Sequence, residues 1–247
     1  MKRRITGPRA VAEAVRSHPG AIVIVYTTPD ATRTHATLLE AARAAGVRME
    51  ERTKAELDAI GGEDHHQGIV AIAGEYSYVD LEAVLADAPA APLIVALDEI
   101  TDPHNLGAIV RSAVAFGAHA VLTLKDRAAP VTPVVVRVSA GATEHARIVR
   151  VVNLARTLTR LHDEHDMQIV GLDGEGEHEI DRLPDAPHGR VLVVGSEGKG
   201  LRPNVRKHCD LVARIPVPGP IGSLNASVAA GTLSPKRCRK LATDCRV

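Results

Sequence analysis

The stretch that decides the fold is LDEITDPHNLGAIVRSAVAFGAHAVL, residues 97–122. An apolar strand ends at Leu97, acidic turn residues follow, and a helix-period pattern then leads to a second apolar run at Ala120–Leu124. Asp102 followed by Pro103 marks a helix start: aspartate suits the N-cap, and proline suits the first helical position, where its missing N–H loses no helical bond. Asn105 then falls in the first turn, near the carboxyl end of the preceding strand. Gly107 and Arg111 are four apart and share one helix face. The glycine admits a ligand or another backbone, and the arginine projects beside that gap. By spacing alone, a plain surface arginine on a strand–helix unit fits equally well.

Working outward, short β-branched runs recur at Ala21–Tyr26, Ile69–Ala73, Leu93–Leu97, Ala120–Leu124, Gln168–Leu172, Val191–Gly195 and Leu211–Ile215. Between them lie Ala-rich stretches with apolar residues three and four apart, such as Leu38–Ala45, Leu106–Phe116 and Leu154–Leu161. Strands alternating with helices predict an α/β architecture with parallel sheets covered on both faces. ADAPAAP, at Ala86–Pro92, is the expected boundary, because two prolines among alanines favour a stiff spacer over a strand or helix. It separates a small module of roughly 75 residues from one of roughly 155.

The chain has 247 residues, 30 Lys+Arg against 30 Asp+Glu, and 45% hydrophobic residues, but only one Phe, three Tyr and no Trp. Its core must be aliphatic, and nucleic-acid recognition by rows of stacked aromatics is excluded. Neutrality excludes a uniformly basic surface. The total is a cancellation: residues 1–90 hold 10 basic and 13 acidic side chains, 91–231 hold 15 and 16, and 232–247 hold 5 and 1. Three cysteines, Cys209, Cys238 and Cys245, without a CxxC, suggest neither a disulfide framework nor a zinc site. The twelve histidines include no HxH or HxxxH, so no metal is expected. No leader-like or membrane-spanning run is visible, and a cytoplasmic protein is expected.

Two further segments carry chemistry. VLVVGSEGKGL, residues 191–201, is a strand running into a glycine loop, the place where open α/β sheets bind nucleotides. It is neither a Walker A loop nor GxGxxG, and alone it is a weak signal. Glu197 within it would repel phosphates, which favours a nucleoside without a polyphosphate or a cationic ligand. ARIPVPGPIGSLNASVAAG, residues 213–231, runs from a strand through a Pro/Gly-rich loop into a small-residue helix. Ser223 and Asn225 there cap that helix or bind a ligand.

In this order and spacing the three segments resemble the three motifs of the SpoU (TrmH) family of RNA ribose 2′-O-methyltransferases: NxGxxxR at Asn105–Arg111, GSEGKGL at Gly195–Leu201, and IPxxGxxxSLNxSxAxG at Ile215–Gly231. GPRAVAEAV near residue 7 and HHQGIVA at 65–71 resemble the ends of that family's small RNA-binding domain, similar to a ribosomal-protein L30-type fold. The pattern looks most like the branch that methylates a guanosine of 23S ribosomal RNA.

The resemblance implies an RNA-binding domain at 1–75, a linker at 76–91, and a SPOUT methyltransferase domain at 92–231 with a C-terminal trefoil knot. It also implies S-adenosylmethionine as methyl donor, an RNA partner and a homodimer. By carry-over, Gly195, Ile215 and Leu224 contact the donor, while Asn105, Arg111, Glu197, Ser223 and Asn225 form the polar, catalytic site. Arg111 is sometimes assigned as base in the family. Because a guanidinium holds its proton above pH ~12, binding of substrate phosphate and of the developing 2′-oxyanion is the better chemical role.

Three alternatives stay open at this level. One is a 2′-O-methyltransferase of transfer RNA or of a resistance-conferring ribosomal site. Another is a non-catalytic RNA-binding or ribosome-assembly protein on the same fold, and the third an ordinary nucleotide-dependent α/β enzyme. The tail from 232 to 247, TLSPKRCRKLATDCRV, departs from the regular helix expected after the third motif. That departure predicts a weakened dimer.

Overall fold

Runs rich in Val, Ile and Ala form the strands of two separate sheets. The structure, a computed structural model, describes residues 2–62, 66–196 and 198–217 together with residue 228. These divide into a smaller unit, drawn from residues within 1–77 and 130–145, and a larger one, drawn from residues within 78–129 and 146 onward.

In the smaller unit, strands β1 (Arg3–Thr6), β2 (Ile22–Thr27), β3 (Met49–Glu51) and β4 (Ile69–Ala73) lie in the order β1-β4-β2-β3. Only β2 and β3 are parallel; β4 runs antiparallel to both β1 and β2. This sheet is therefore mixed, not parallel as the alternation of elements predicts. The reason is that β4 returns between β1 and β2 instead of being added at an edge. Helix Pro8–Ser17 buries Ala10, Val11, Ala14 and Val15 against the sheet core of Ile5, Val25, Ile69 and Ala71. Helix Lys54–Gly61 starts with a reciprocal cap in which Glu56 N–H donates to Thr53 Oγ1 and Thr53 N–H donates to Glu56 Oε2.

Residues 130–145 join this unit although they lie far along the chain. Helix Pro133–Val138 contributes Val136, 1% exposed, to the same core. Its valines favour extended backbone, but Thr132 caps the helix and Pro133 occupies its first turn. Glu144, with 1% of its side chain exposed, receives both terminal nitrogens of Arg3 at 2.6 and 2.7 Å. Tyr76 lies against the same guanidinium, 5.5 Å from ring centroid to carbon, and donates its hydroxyl to Thr143 O at 3.2 Å. Gly141 has φ +85°, and a Cβ there would sit 3.0 Å from Ala10 Cα.

The larger unit holds β5 (Leu93–Leu97), β6 (Ala120–Leu124), β7 (Ile148–Val151), β8 (Gln168–Leu172), β9 (His178–Glu179), β10 (Arg190–Val194) and β11 (Leu211–Arg214). They form one sheet in the order β7-β6-β5-β10-β8-β11-β9, and every pairing is parallel. Every residue of β6 and β10 is buried, as a parallel sheet covered on both faces demands. Helix Leu154–His165 buries Leu154, Ala155, Leu158 and Leu161 in a core shared with Ile169, Val193 and Val205. Asn153 caps its start, and Asp166, at φ 52°, ends it. The expected linker contains a helix, Leu81–Ala86, whose Val84 is fully buried in this same core. Among the described residues no helix is long and apolar enough to cross a membrane.

Removing the carboxylate of Glu144 leaves Arg3 largely buried without its counter-charge, a change that costs about 3 kcal/mol or more. Glu144→Ala should accordingly lower the urea midpoint followed by far-ultraviolet dichroism; a change below ~1 kcal/mol would show the pair to be dispensable. Cys209 lies beneath Gly171, where an added Cβ would meet its Sγ at 3.0 Å, and burial pushes its thiol up to about 12. Near pH 8 only about one thiol in ten thousand is then thiolate. Iodoacetamide should leave the Cys209 peptide unmodified in the native protein and label it in concentrated urea, as read by mass spectrometry.

Candidate active site

Strands β5 and β10 are neighbours running in the same direction, with Val194 paired to Leu97 at their carboxyl ends. Beyond them the chain departs in opposite senses. After β5 it leads through helix Pro103–Ala115 to β6 on one side; after β10 it leads through a short helix, Pro203–Arg206, to β11 on the other. Such a reversal opens a crevice at the carboxyl edge of the sheet, where ligands of open α/β folds bind.

At this edge lies the turn that follows β10. Ser196 N–H donates to Gly200 O at 3.2 Å and Gly200 N–H donates to Ser196 O at 3.0 Å, so the loop closes on itself. Gly198 and Gly200 have φ of +73° and +63°, values that a side chain disfavours. Gly195 is required for a different reason: a Cβ there would lie 2.3 Å from the Gly200 carbonyl carbon. Gly200 in turn faces Asp173 at the end of β8, whose Oδ2 accepts from Arg206 at 2.7 Å.

Beside it lies Asp98, the residue after β5. Its N–H donates to Val194 O at 2.9 Å, prolonging the β5–β10 ladder by one step. Its carboxylate is completely buried and is met by Arg202, the first residue beyond the glycine loop. Oδ2 accepts the Arg202 backbone N–H at 2.9 Å, and Oδ1 accepts Nε at 2.7 Å with a terminal nitrogen 2.6 Å away. Hydrogen bonding to Asp98 holds the Arg202 guanidinium above its ordinary pKa. The neighbouring Glu99 has φ 57° and lies 3.2 Å from Arg202 and 2.9 Å from Arg127.

Helix Pro103–Ala115 rises from this edge. Asp102 caps it by accepting the His104 N–H at 2.9 Å. Asn105 sits in its first turn and is only 7% exposed, whereas Arg111 is exposed six residues further on. The six-residue interval between them places the two side chains on different faces and about 9 Å apart along the axis. Neither side chain bonds another described residue. The structure thus gathers Asn105, Gly195 and Ile215 along one carboxyl edge, with β8 between the strands that deliver Gly195 and Ile215. Arg111 stands exposed further along the helix. Glu197, Ser223, Leu224 and Asn225, and the tail from 232 onward, lie outside the described residues. Among the described residues no group of His, Cys, Asp or Glu is arranged to hold a metal ion.

Reading the sequence by motif overlooks Asp98 and Arg202. The available signal was an aspartate placed directly after a buried strand and an arginine directly after the glycine loop. Nothing local to either segment indicates that the two meet.

Comparison with known proteins accords with this architecture. The model of the SpoU rRNA methylase family matches residues 92–234, and that of the RNA 2′-O ribose methyltransferase substrate-binding domain matches residues 4–79. An uncharacterized tRNA/rRNA methyltransferase of Mycolicibacterium smegmatis is 43% identical over 233 residues, spanning 93% of this chain and 74% of the relative. The SpoU methyltransferase AviRb from Streptomyces viridochromogenes, solved with AdoMet, superposes with a TM-score of 0.79 at 26% identity, over 97% of this chain and 90% of that one. An AdoMet-bound rRNA methyltransferase from Sinorhizobium meliloti shares the fold, with a TM-score of 0.77 at 24% identity over 98% of this chain and 88% of that one. A family model matched over more than half the chain, on a parallel sheet whose carboxyl edge carries two of the three motifs, leads to one conclusion: the chain belongs to the SpoU family of RNA methyltransferases.

Proposed function

We propose that this protein transfers a methyl group from S-adenosylmethionine to a ribose 2′-hydroxyl of RNA, and that its substrate is a guanosine of 23S ribosomal RNA. The observation that carries the reading is the meeting of the first two motif segments at the strand reversal between β5 and β10, beside the tightly closed glycine turn. Family membership supports methylation of RNA, and the AdoMet held by AviRb supports the donor.

The residues present fit that donor. Adenosylmethionine is a nucleoside with a sulfonium cation and no phosphate. The glycine turn is followed by only a one-turn helix, Pro203–Arg206, and so lacks the long helix N-terminus that anchors polyphosphates. The glutamate at 197 suits a cation better than an anion, while the buried Asp98 carboxylate is already matched by Arg202. When bound, the donor supplies an electrophilic methyl group. The roles assigned to this chain are to hold the donor through Gly195, Ile215 and Leu224, and to position the ribose through Asn105, Glu197, Ser223 and Asn225.

Arg111 is exposed and permanently charged, so it is suited to grip an RNA phosphate and to stabilise charge developing on the 2′-oxygen. The smaller unit, matched by the substrate-binding model, is assigned to RNA capture. With few aromatics and a balanced overall charge, capture would rely on phosphates, 2′-hydroxyls and shape. The protein is proposed to act in the cytoplasm, where ribosomal RNA is available, and as a homodimer.

Arg111→Ala should fold and bind adenosylmethionine but lose methyl transfer by 100-fold or more, about 2.7 kcal/mol of transition-state stabilisation. Tritium transfer from labelled donor to ribosomal RNA measures it, and near-normal turnover would remove Arg111 from the site. Mass-spectrometric mapping of ribose methylation in a strain lacking the gene should show one unmethylated guanosine in 23S RNA. Loss of a mark in transfer RNA instead would reject the ribosomal substrate.

A further inference from the structure

We infer that Asp98 and Arg202 form a positioning pair that holds the glycine turn in its donor-binding shape before the donor arrives. The inference rests on the methyl-donor reading above and goes beyond it, since neither residue belongs to the three motifs.

The geometry is that of a clasp. Asp98 is fixed to the sheet by its own N–H on Val194 O at 2.9 Å, so its carboxylate has a defined place beside the end of β10. Arg202 is the residue at which the chain leaves the glycine loop. Through its backbone N–H it is bonded to Asp98 Oδ2 at 2.9 Å, and through Nε to Oδ1 at 2.7 Å. The loop is therefore anchored at both ends to the same two strands: it begins as the continuation of β10 and finishes on the residue after β5. The reciprocal Ser196–Gly200 bonds and the contact of Gly195 with Gly200 complete the closure.

Cohesion alone does not account for the arrangement. A completely buried carboxylate loses its hydration, and an apolar pair of similar volume is often as stable or more so. What the ions add is direction. A guanidinium fork and a backbone N–H on one carboxylate specify orientation as well as distance, which aliphatic packing does not. Adjacent Glu99, at φ 57° and within 3.2 Å of the same guanidinium, holds a backbone conformation unusual for its type. Strain at this position suits a site in which loop geometry matters more than stability. A loop that adopts its binding shape only part of the time has its affinity reduced by that fraction. Loss of the clasp should therefore weaken donor binding in proportion to the loop's freedom.

The test separates positioning from cohesion. In Asp98→Asn/Arg202→Leu both charges go while an amide oxygen remains to accept the N–H of residue 202, so thermal stability should stay near that of the wild type, unlike Asp98→Ala, which leaves Arg202 and its N–H without their main partner. Calorimetric Kd for adenosylmethionine should nevertheless rise about tenfold in the double variant, corresponding to ~1.4 kcal/mol. Donor KM should rise with it, while kcat at saturating donor falls much less. Without donor, amide exchange in the peptide covering residues 195–202 should accelerate while β5 and β10 stay protected. Arg202→Lys keeps the charge and backbone N–H but not the fork, and should raise Kd several-fold even if the double variant does not fold. A stable double variant with wild-type Kd, or Arg202→Lys with wild-type Kd, overturns the positioning role alone. A wild-type protein that gives no heat with adenosylmethionine overturns the donor reading itself, and this inference with it.

Discussion

The carboxyl ends of β5 and β10 are the constraint on which the larger unit is arranged. Two adjacent parallel strands whose connections leave in opposite directions cannot both be covered at that end, so an open crevice is a consequence of strand order. The chain meets this edge with backbone. Gly195 is in contact with Gly200 at a distance that no side chain tolerates, and the loop's own hydrogen bonds close it. Helix Pro103–Ala115 starts at the same edge because Asp102 and Pro103 fix where it starts, and this puts Asn105 against the edge and Arg111 out in solvent.

In each unit a buried carboxylate pairs with an arginine distant in sequence. Arg3 meets Glu144 in the smaller unit, and Asp98 meets Arg202 in the larger. Such pairs are weak sources of net stability; here each joins backbone segments far apart in the chain. In the smaller unit the pair helps to tie residues 130–145 to β1, although the chain has meanwhile made two strands of the other sheet. In the larger, it ties the exit of a glycine loop to the exit of a strand about a hundred residues earlier. Both pairs act within a unit.

Much of this was visible in the sequence. The runs read as Ile69–Ala73, Leu93–Leu97, Ala120–Leu124 and Gln168–Leu172 are strands with those bounds, because continuous β-branched stretches between glycines and helix starts have few other uses. Strands Arg3–Thr6, Met49–Glu51 and His178–Glu179 were not legible: they are short and carry charges, and only pairing with a neighbour makes them strands. Ile148–Val151 escaped notice for its four-residue length. The mixed order of the smaller sheet was equally hidden, since alternation of elements says nothing about which strand inserts between two others.

By itself, then, the sequence determined the longer apolar strands, the aliphatic core, the family, and the positions of Asn105, Arg111, Gly195 and Ile215 along the chain. All of these depend on residue type and on spacing over a few residues, where backbone preference and periodicity act. Tertiary structure alone decided which of them share an edge, that residues 130–145 belong with the first 77, and that Asp98 closes on Arg202. Those outcomes depend on desolvation and on hydrogen bonds between segments up to 141 residues apart, which no local pattern records.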